Sequence, residues 1–209
     1  VSALVKDMVD HYPYKIGSLL AGDETYIKVR GKNQYVFFWS DPYSKIITSH
    51  TIYPTRDTEC ACRSTYDCLR HYNGKIPEDL TFITDGNPIY NAAQVFFDIN
   101  DIKFDLHQVI GVKNKDETSK KYRPFKQIEE RLNRTYKQNY YGTNGYDKIE
   151  GANSYMIFFV CFFNFLRPHS SLGFKTPVTE LFDNNMLMPD QWLKLIEISH
   201  QYHPANTVN

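Results

Sequence analysis

The chain carries no surplus of charge of either sign: 24 Lys and Arg balance 24 Asp and Glu over 209 residues. A polyanion binder usually shows a basic excess, so the balance by itself speaks against nucleic acid as a partner. Cysteine is scarce, four residues with no Cys-x-x-Cys pair. Cys60, Cys62 and Cys68 crowd into nine residues of an expected helix, which does not suit a disulfide framework. A zinc set of these three with His71 fares poorly, because positions 60 and 62 point about 200° apart on a helix. Free thiols in a reducing cytoplasm are the expectation. The sequence shows no secretory signal, internal repeat or low-complexity tract. Its most apolar run, Tyr155 to Phe165, has eleven residues, too few to cross a bilayer, and reads as a buried helix with no membrane partner. No Ser, Cys or His sits in a convincing nucleophile setting.

What is present allows one domain with a real core, at 42% hydrophobic and 15% aromatic residues. The first residue is Val rather than Met, so an upstream module, such as a DNA-binding one, would lie outside this sequence. Charge is also unevenly spread. From Gly111 to Lys148 there are ten Lys and Arg against five Asp and Glu, whereas Val1 to Asn100 has ten against twelve. A polyanion would find its basic ground in that one stretch.

Periodicity predicts a weak helix from Val1 to Tyr14, then strands at Leu19 to Arg30, Tyr35 to Ser40 and Ile46 to Tyr53. Gly31-Lys32-Asn33 and Asp41-Pro42-Tyr43-Ser44 separate them as turns. A helix over Thr58 to Tyr72, a strand at Leu80 to Thr84, a helix over Ile89 to Phe97 and a strand at Phe104 to Ile110 follow. Gly111 to Pro124 reads as a lysine-rich mobile loop, and Pro124 as the first turn of a helix to Lys137. A long apolar helix spans Lys148 to Leu166, and short helical pieces are expected at Pro177 to Phe182 and Pro189 to His200. This order, a meander and then alternating strands and helices, predicts an α/β fold of the ribonuclease H-like type: a mixed five-stranded sheet flanked by helices. The expected organisation is a helical linker stub at 1–17, a catalytic core at 18–182 and a helical tail at 183–209.

Three acids stand out. Alternation puts Asp23 on one strand face with Thr25, Ile27 and Val29, and Glu24 on the other. A carboxylate on an apolar face needs a partner or a cation; a strand-end hydrogen bond is the bland alternative. Asp85 closes the apolar run LTFIT, where open sheets place reactive groups, although Asp-Gly is also ordinary turn chemistry. Glu130 shares a helical face with Asn133, Arg134 and Lys137, which a solvated charged helix would show too. Glu129 is its rival, about 100° round the helix. Three carboxylates without a nucleophile suit hard divalent cations and phosphoryl chemistry, with two ions for attacking and leaving oxygens.

These passages resemble the catalytic domain of DDE transposases in the retroviral-integrase superfamily, the IS6/IS240-like insertion-sequence enzymes. GDETYIKVRGK with YVFFWSD resembles the first-acid strand, FITDGNPIY the second-acid segment and IEERLNRTYK the third-acid helix. NFLRPHSSLGFKTPVTELF resembles the closing motif, so the likeness runs from about Leu19 to Phe182. It implies Asp23, Asp85 and Glu130 as catalytic residues holding two Mg²⁺ ions, with Mn²⁺ as substitute. It also implies Arg123, Lys126, Arg131, Asn133, Arg134 and Lys137 as DNA contacts, and His169 as fixing a helix end. The implied partners are double-stranded DNA, as transposon ends and target, and further copies of the chain in a homodimer or larger assembly. The implied activity is DNA cleavage and strand transfer in a prokaryotic cytoplasm, at the nucleoid. A nuclease that cuts without joining, or a non-catalytic DNA-binding derivative, are the alternatives. The sequence departs from the family in the wide gap of forty-four residues between Asp85 and Glu130, which an insertion at Gly111 to Pro124 would explain. Were that stretch folded, Glu117 would become a distant candidate acid.

Overall fold

Strand-forming sequence builds β1 (Leu19–Val29), β2 (Lys32–Ser40) and β3 (Ile47–Tyr53), each with a run of consecutive buried residues, in the computed structural model, which describes residues 2–110, 116–183 and 185–202. β1 and β2 pair antiparallel from Ala21↔Ser40 to Val29↔Lys32. The turn between them is therefore Arg30-Gly31 alone, with both residues at positive φ (48° and 72°), the two-residue hairpin geometry whose twist matches the strands. Lys32 and Asn33, expected in that turn, belong to β2.

Along the chain α1 (Ser2–His11) precedes the meander. α2 (Thr58–Leu69), β4 (Thr81–Thr84), α3 (Pro88–Ile99), β5 (Asp105–Gln108), α4 (Glu117–Tyr140), α5 (Ile149–Cys161) and α6 (Met188–Ser199) follow it. The five strands form one sheet in the order β3-β2-β1-β4-β5, with β1, β4 and β5 parallel. Contacts divide the chain into two compact units, Ile16–Asp147 and Val1–Lys15 with Lys148–Asn209. The stretch expected as one core, 18–182, is thus shared between two units.

In the first unit the sheet has two unlike faces. Leu20, Phe37, Trp39, Leu80 and Phe82 meet Cys60, Ala61, Cys68 and Leu69 of α2 and Tyr90, Ala93 and Phe97 of α3. Cys60 and Cys68 are free thiols that fill this core. Trp39 lies edge-on to Phe82 (4.8 Å) and Tyr90 (5.7 Å). It crosses directly over Gly22, its cross-strand partner, where any Cβ would overlap the indole. The other face carries Ala21, Ile83 and Val109 against Tyr122 and Phe125 of α4. Tyr136 of α4 packs edge-on to Phe38 (5.2 Å), and the Tyr140 hydroxyl accepts the Lys28 N–H (2.8 Å), so α4 is tied down over β1 and β2.

α4 corrects the sequence reading. Residues 111–115 of the expected loop lie outside the described residues, but residues 117–124 are helix. Asp116 caps this helix, its carboxylate accepting the Ser119 N–H (2.7 Å), and Pro124 lies inside the helix rather than in its first turn. A cap and a buried Tyr122 outweigh the lost N–H of one proline.

In the second unit Val5, Met8 and Val9 of α1 are buried, and Phe165 meets Tyr12 edge-on at 5.2 Å and Tyr14 at a tilt at 5.9 Å. Here α1 packs against α5 and α6 as part of a folded unit. α5 continues into a π-helical segment, Phe162–Leu166, and the run Ile149–Leu166 reaches 18 residues with mean hydropathy 1.3. By length and composition that run could cross a membrane, unlike the eleven-residue stretch read from sequence, but more than half of it is buried within the protein. Residues 177–182 form turns rather than the expected helical piece. His169 anchors the turn after the helix end: its N–H donates to Lys175, and its carbonyl accepts from Leu172 and Phe174.

Candidate active site

β4 stops at Thr84 while β1 runs on to Val29, so the sheet opens between them beyond the Ala21↔Ile83 pair. Two residues further along this register, Asp23 and Asp85 stand side by side at the mouth of that opening. Asp23, Glu24 and Asp85 each bring a carboxylate oxygen within 4.8 Å of the others. Asp85 is held by the turn it begins: its Oδ1 accepts the Asn87 N–H (3.0 Å), and Asn87 caps α3 through the Ile89 N–H (3.3 Å). Gln108 of β5 donates to the carbonyls of Asp85 and Asn87 at 2.9 Å each.

α4 brings polar groups down onto Asp23. The Lys126 ammonium pairs with Asp23 Oδ1 (2.8 Å), with its side chain only 8% exposed, and Asn133 Nδ2 donates to Asp23 Oδ2 (3.0 Å). Between them Glu129 is fully buried and accepts a hydrogen bond from the Ser40 hydroxyl. Burial, first of all, pushes the Glu129 carboxyl up to about 8; Asp23 pushes the same way, while Ser40, Lys126 and Lys45 oppose. Glu130, the expected third acid, is exposed. By helical geometry it lies about 40° round from Lys126 and about 60° from Asn133, at the rim of the stripe that touches Asp23. Glu117 is exposed in the first turn of α4, about 14 Å along the axis from Lys126 and so away from the stripe that touches Asp23.

The expected DNA contacts divide. Arg131 and Arg134 are exposed on α4. Lys137 sits over the Tyr26 ring, 4.0 Å from its centroid, and burial lowers its ammonium pKa. Arg123 is half-buried near Asp116, and Lys126 and Asn133 are turned inward onto Asp23. Sequence reasoning missed Glu24. Alternation places it correctly on the α3 face, yet its longer side chain carries the carboxylate to the Asp85 turn, where Asn87 Nδ2 (2.9 Å) and the Tyr90 hydroxyl (2.5 Å) donate to it. Burial raises the Glu24 carboxyl pKa, against those two bonds.

The donor set fits a hard divalent cation. Asp23 and Asp85 offer carboxylate oxygens at one point, and Asp23 already engages a cationic group in Lys126. Residues 19–150 match the DDE domain family of IS240-type transposases. The chain belongs to that family. No curated protein matches this DDE domain in sequence. In structure it is similar to a chain of the simian T-cell lymphotropic virus intasome solved with the PP2A regulatory subunit B56 gamma (TM-score 0.53, 17% identity, 84% of this chain and 61% of that one). The catalytic core of HTLV-2 integrase, solved with magnesium in a trimeric form, gives TM-score 0.50 at 17% identity over 78% of this chain and 96% of that one. The BIV integrase core gives 0.50 at 17%, over 77% and 91%. The DDE domain therefore has the ribonuclease H-like fold of integrase cores. It spans about three fifths of the intasome chain it resembles.

Proposed function

We propose that this DDE domain is the catalytic part of a DNA transposase, which hydrolyses a phosphodiester at a transposon end and joins the freed 3′-hydroxyl to target DNA. The observation that carries the reading is the level placement of Asp23 and Asp85 at the opening between β1 and β4, with the polar stripe of α4 closing on Asp23. Asp23, Asp85 and Glu130 are the proposed ligands of two Mg²⁺ ions, for which Mn²⁺ can substitute. Such a pair, when bound, supplies Lewis-acid activation of the attacking oxygen and stabilises the leaving one. Support for magnesium comes from the donor chemistry and from the HTLV-2 core solved with that ion.

The chain's own residues divide the remaining work. Asn133 and Lys126 orient the Asp23 carboxylate, and the Asn87 N–H orients Asp85. Glu130 is preferred to Glu129 because its carboxyl is at the solvent rim, within a turn of both Asp23 partners, whereas Glu129 is enclosed and bonded to Ser40. Arg123, Arg131, Arg134 and Lys137 are the proposed phosphate contacts, positioning duplex DNA without reading its sequence. Lys126 and Asn133 would serve DNA indirectly, through Asp23. Two ends joined in one event call for at least a dimer, in keeping with the assembled state of the intasome and of the trimeric HTLV-2 core.

Strand transfer on labelled DNA bearing the element's own ends, with Mg²⁺ or Mn²⁺, tests this. Joined products should form with the wild type and vanish in Asp85→Asn and Glu130→Gln. Cleaved but unjoined products would instead mark a nuclease. Joining that survives Glu130→Gln and is lost in Glu129→Gln would transfer the third role to Glu129.

A further inference from the structure

The carboxylate cluster contains one acid whose bonds set it apart. Glu24 Oε1 accepts from Asn87 Nδ2 (2.9 Å) and lies 3.1 Å from an Arg56 guanidinium nitrogen, while Oε2 accepts from the Tyr90 hydroxyl. Its side chain is 2% exposed. A carboxylate with three donors on its two oxygens is committed to structure, so Glu24 is placed to organise its neighbours rather than to ligate an ion. What it organises is the Asp85 turn on one side and Arg56 on the other.

Arg56 is itself set in a braced loop. The next residue, Asp57, caps α2 by accepting the Cys60 N–H (3.0 Å), and the Thr55 hydroxyl donates to Asp57 (2.7 Å). The loop is thus pinned on both sides of Arg56. The arginine side chain remains 49% exposed while one guanidinium nitrogen faces Glu24. A guanidinium keeps its charge at any working pH and has five N–H donors in a planar fork. The contact with Glu24 engages one nitrogen of that fork, and the half-exposed side chain stands next to the carboxylate cluster to which Glu24 belongs, a geometry matched to phosphate oxygens.

We infer that Arg56, held in place by Glu24, is a phosphate-contacting residue on the α3 side of the site, where it grips the DNA backbone across from the contacts made by α4. The inference rests on the DNA-joining reading and extends it: the scissile strand is bracketed by cations from two directions, not tracked by one helix. Glu24 acts as a positioning residue for both Arg56 and the Asp85 turn. Arg56→Gln is the informative variant, since glutamine can still donate to Glu24 but carries no charge.

Binding of a fluorescein-labelled duplex is measured by anisotropy across a salt titration, with Ca²⁺ in place of Mg²⁺ so that no strand is cut. Arg56→Gln is expected to weaken binding roughly tenfold and to lower the slope of log K against log salt by about 0.9, the loss of one phosphate contact; Arg56→Lys should keep the slope. In parallel, phenylglyoxal labelling of the wild-type protein, read by mass spectrometry, should be slower at Arg56 when the duplex is bound. An unchanged slope in a folded Arg56→Gln, or Arg56 labelling that is indifferent to the duplex, overturns the inference. Lys137→Ala separates the two levels: if it lowers the slope while Arg56→Gln does not, DNA binding stands and only the role of Arg56 fails. A wild type that shows no salt-dependent binding removes the DNA reading and this inference together.

Discussion

The two faces of the central sheet are built on opposite principles although they share every strand. On the α2 and α3 side, Trp39, Phe82, Tyr90 and Phe97 close a dry aromatic layer over β1, β2 and β4. On the α4 side, Lys126, Glu129 and Asn133 are buried at the level of Asp23 and Ser40, polar groups in positions where a core would ordinarily hold leucine. Burying a charge costs several kcal/mol unless it is matched. The first face holds the sheet together and the second stores polar groups at a fixed place, as a site must when charge has to be ready at one point.

The largest expected difference lies in what each face controls. Asp85→Asn should lower strand transfer by at least about a thousandfold while leaving the denaturation midpoint nearly unchanged, because the side chain is only half-buried. Equal losses of stability and activity would break the comparison. Next comes Trp39→Ala on the dry face, expected to destabilise by about 3–5 kcal/mol in denaturant titrations, with any activity loss following the folded fraction.

Glu129 sharpens the contrast further. Its folded carboxyl titrates at about 8 against an ordinary 4.5, so between those values the folded state binds more protons than the unfolded one. The Glu129 contribution to stability therefore falls as pH rises from about 4.5 to 8, and levels off above. Glu129→Gln should flatten that decline and stabilise the protein by roughly 1–3 kcal/mol at pH 8, while changing little below pH 4.5. Thermal unfolding at several pH values decides it; a variant less stable than wild type at pH 8 would show that the charged form is the one the fold favours. The smallest effect is expected at the rim. Tyr26→Ala removes the ring beneath Lys137 and should cost about 0.5–1 kcal/mol of stability, measured by denaturation, with DNA affinity reduced only a fewfold.

Much of this was readable in advance where local rules are strong. The facing of Asp23 followed from strand alternation, and Asp85 followed from an apolar run ended by Gly-Asn-Pro. The start of α4 was not legible, since Lys120, Lys121 and Pro124 look like loop, and the Asp116–Ser119 cap is a short signal outweighed by composition. The distinction between Glu129 and Glu130 was also closed to local reasoning. Adjacent acids on one helix have similar propensities, and only the position of Ser40 on β2 tells which is enclosed. Arg56 gave no local signal at all, because its partner Glu24 is thirty-two residues earlier and on another element.

Periodicity and turn chemistry thus determined the element order, the mixed sheet and the strand positions of two of the acids, since each depends on neighbours within a few residues. Tertiary structure decided which charges meet: Lys126 and Asn133 on Asp23, Ser40 on Glu129, Arg56 and Tyr90 on Glu24. Coulombic and hydrogen-bond energies vary steeply over a few ångströms, and distances of that size between remote residues are set by how the helices pack on the sheet.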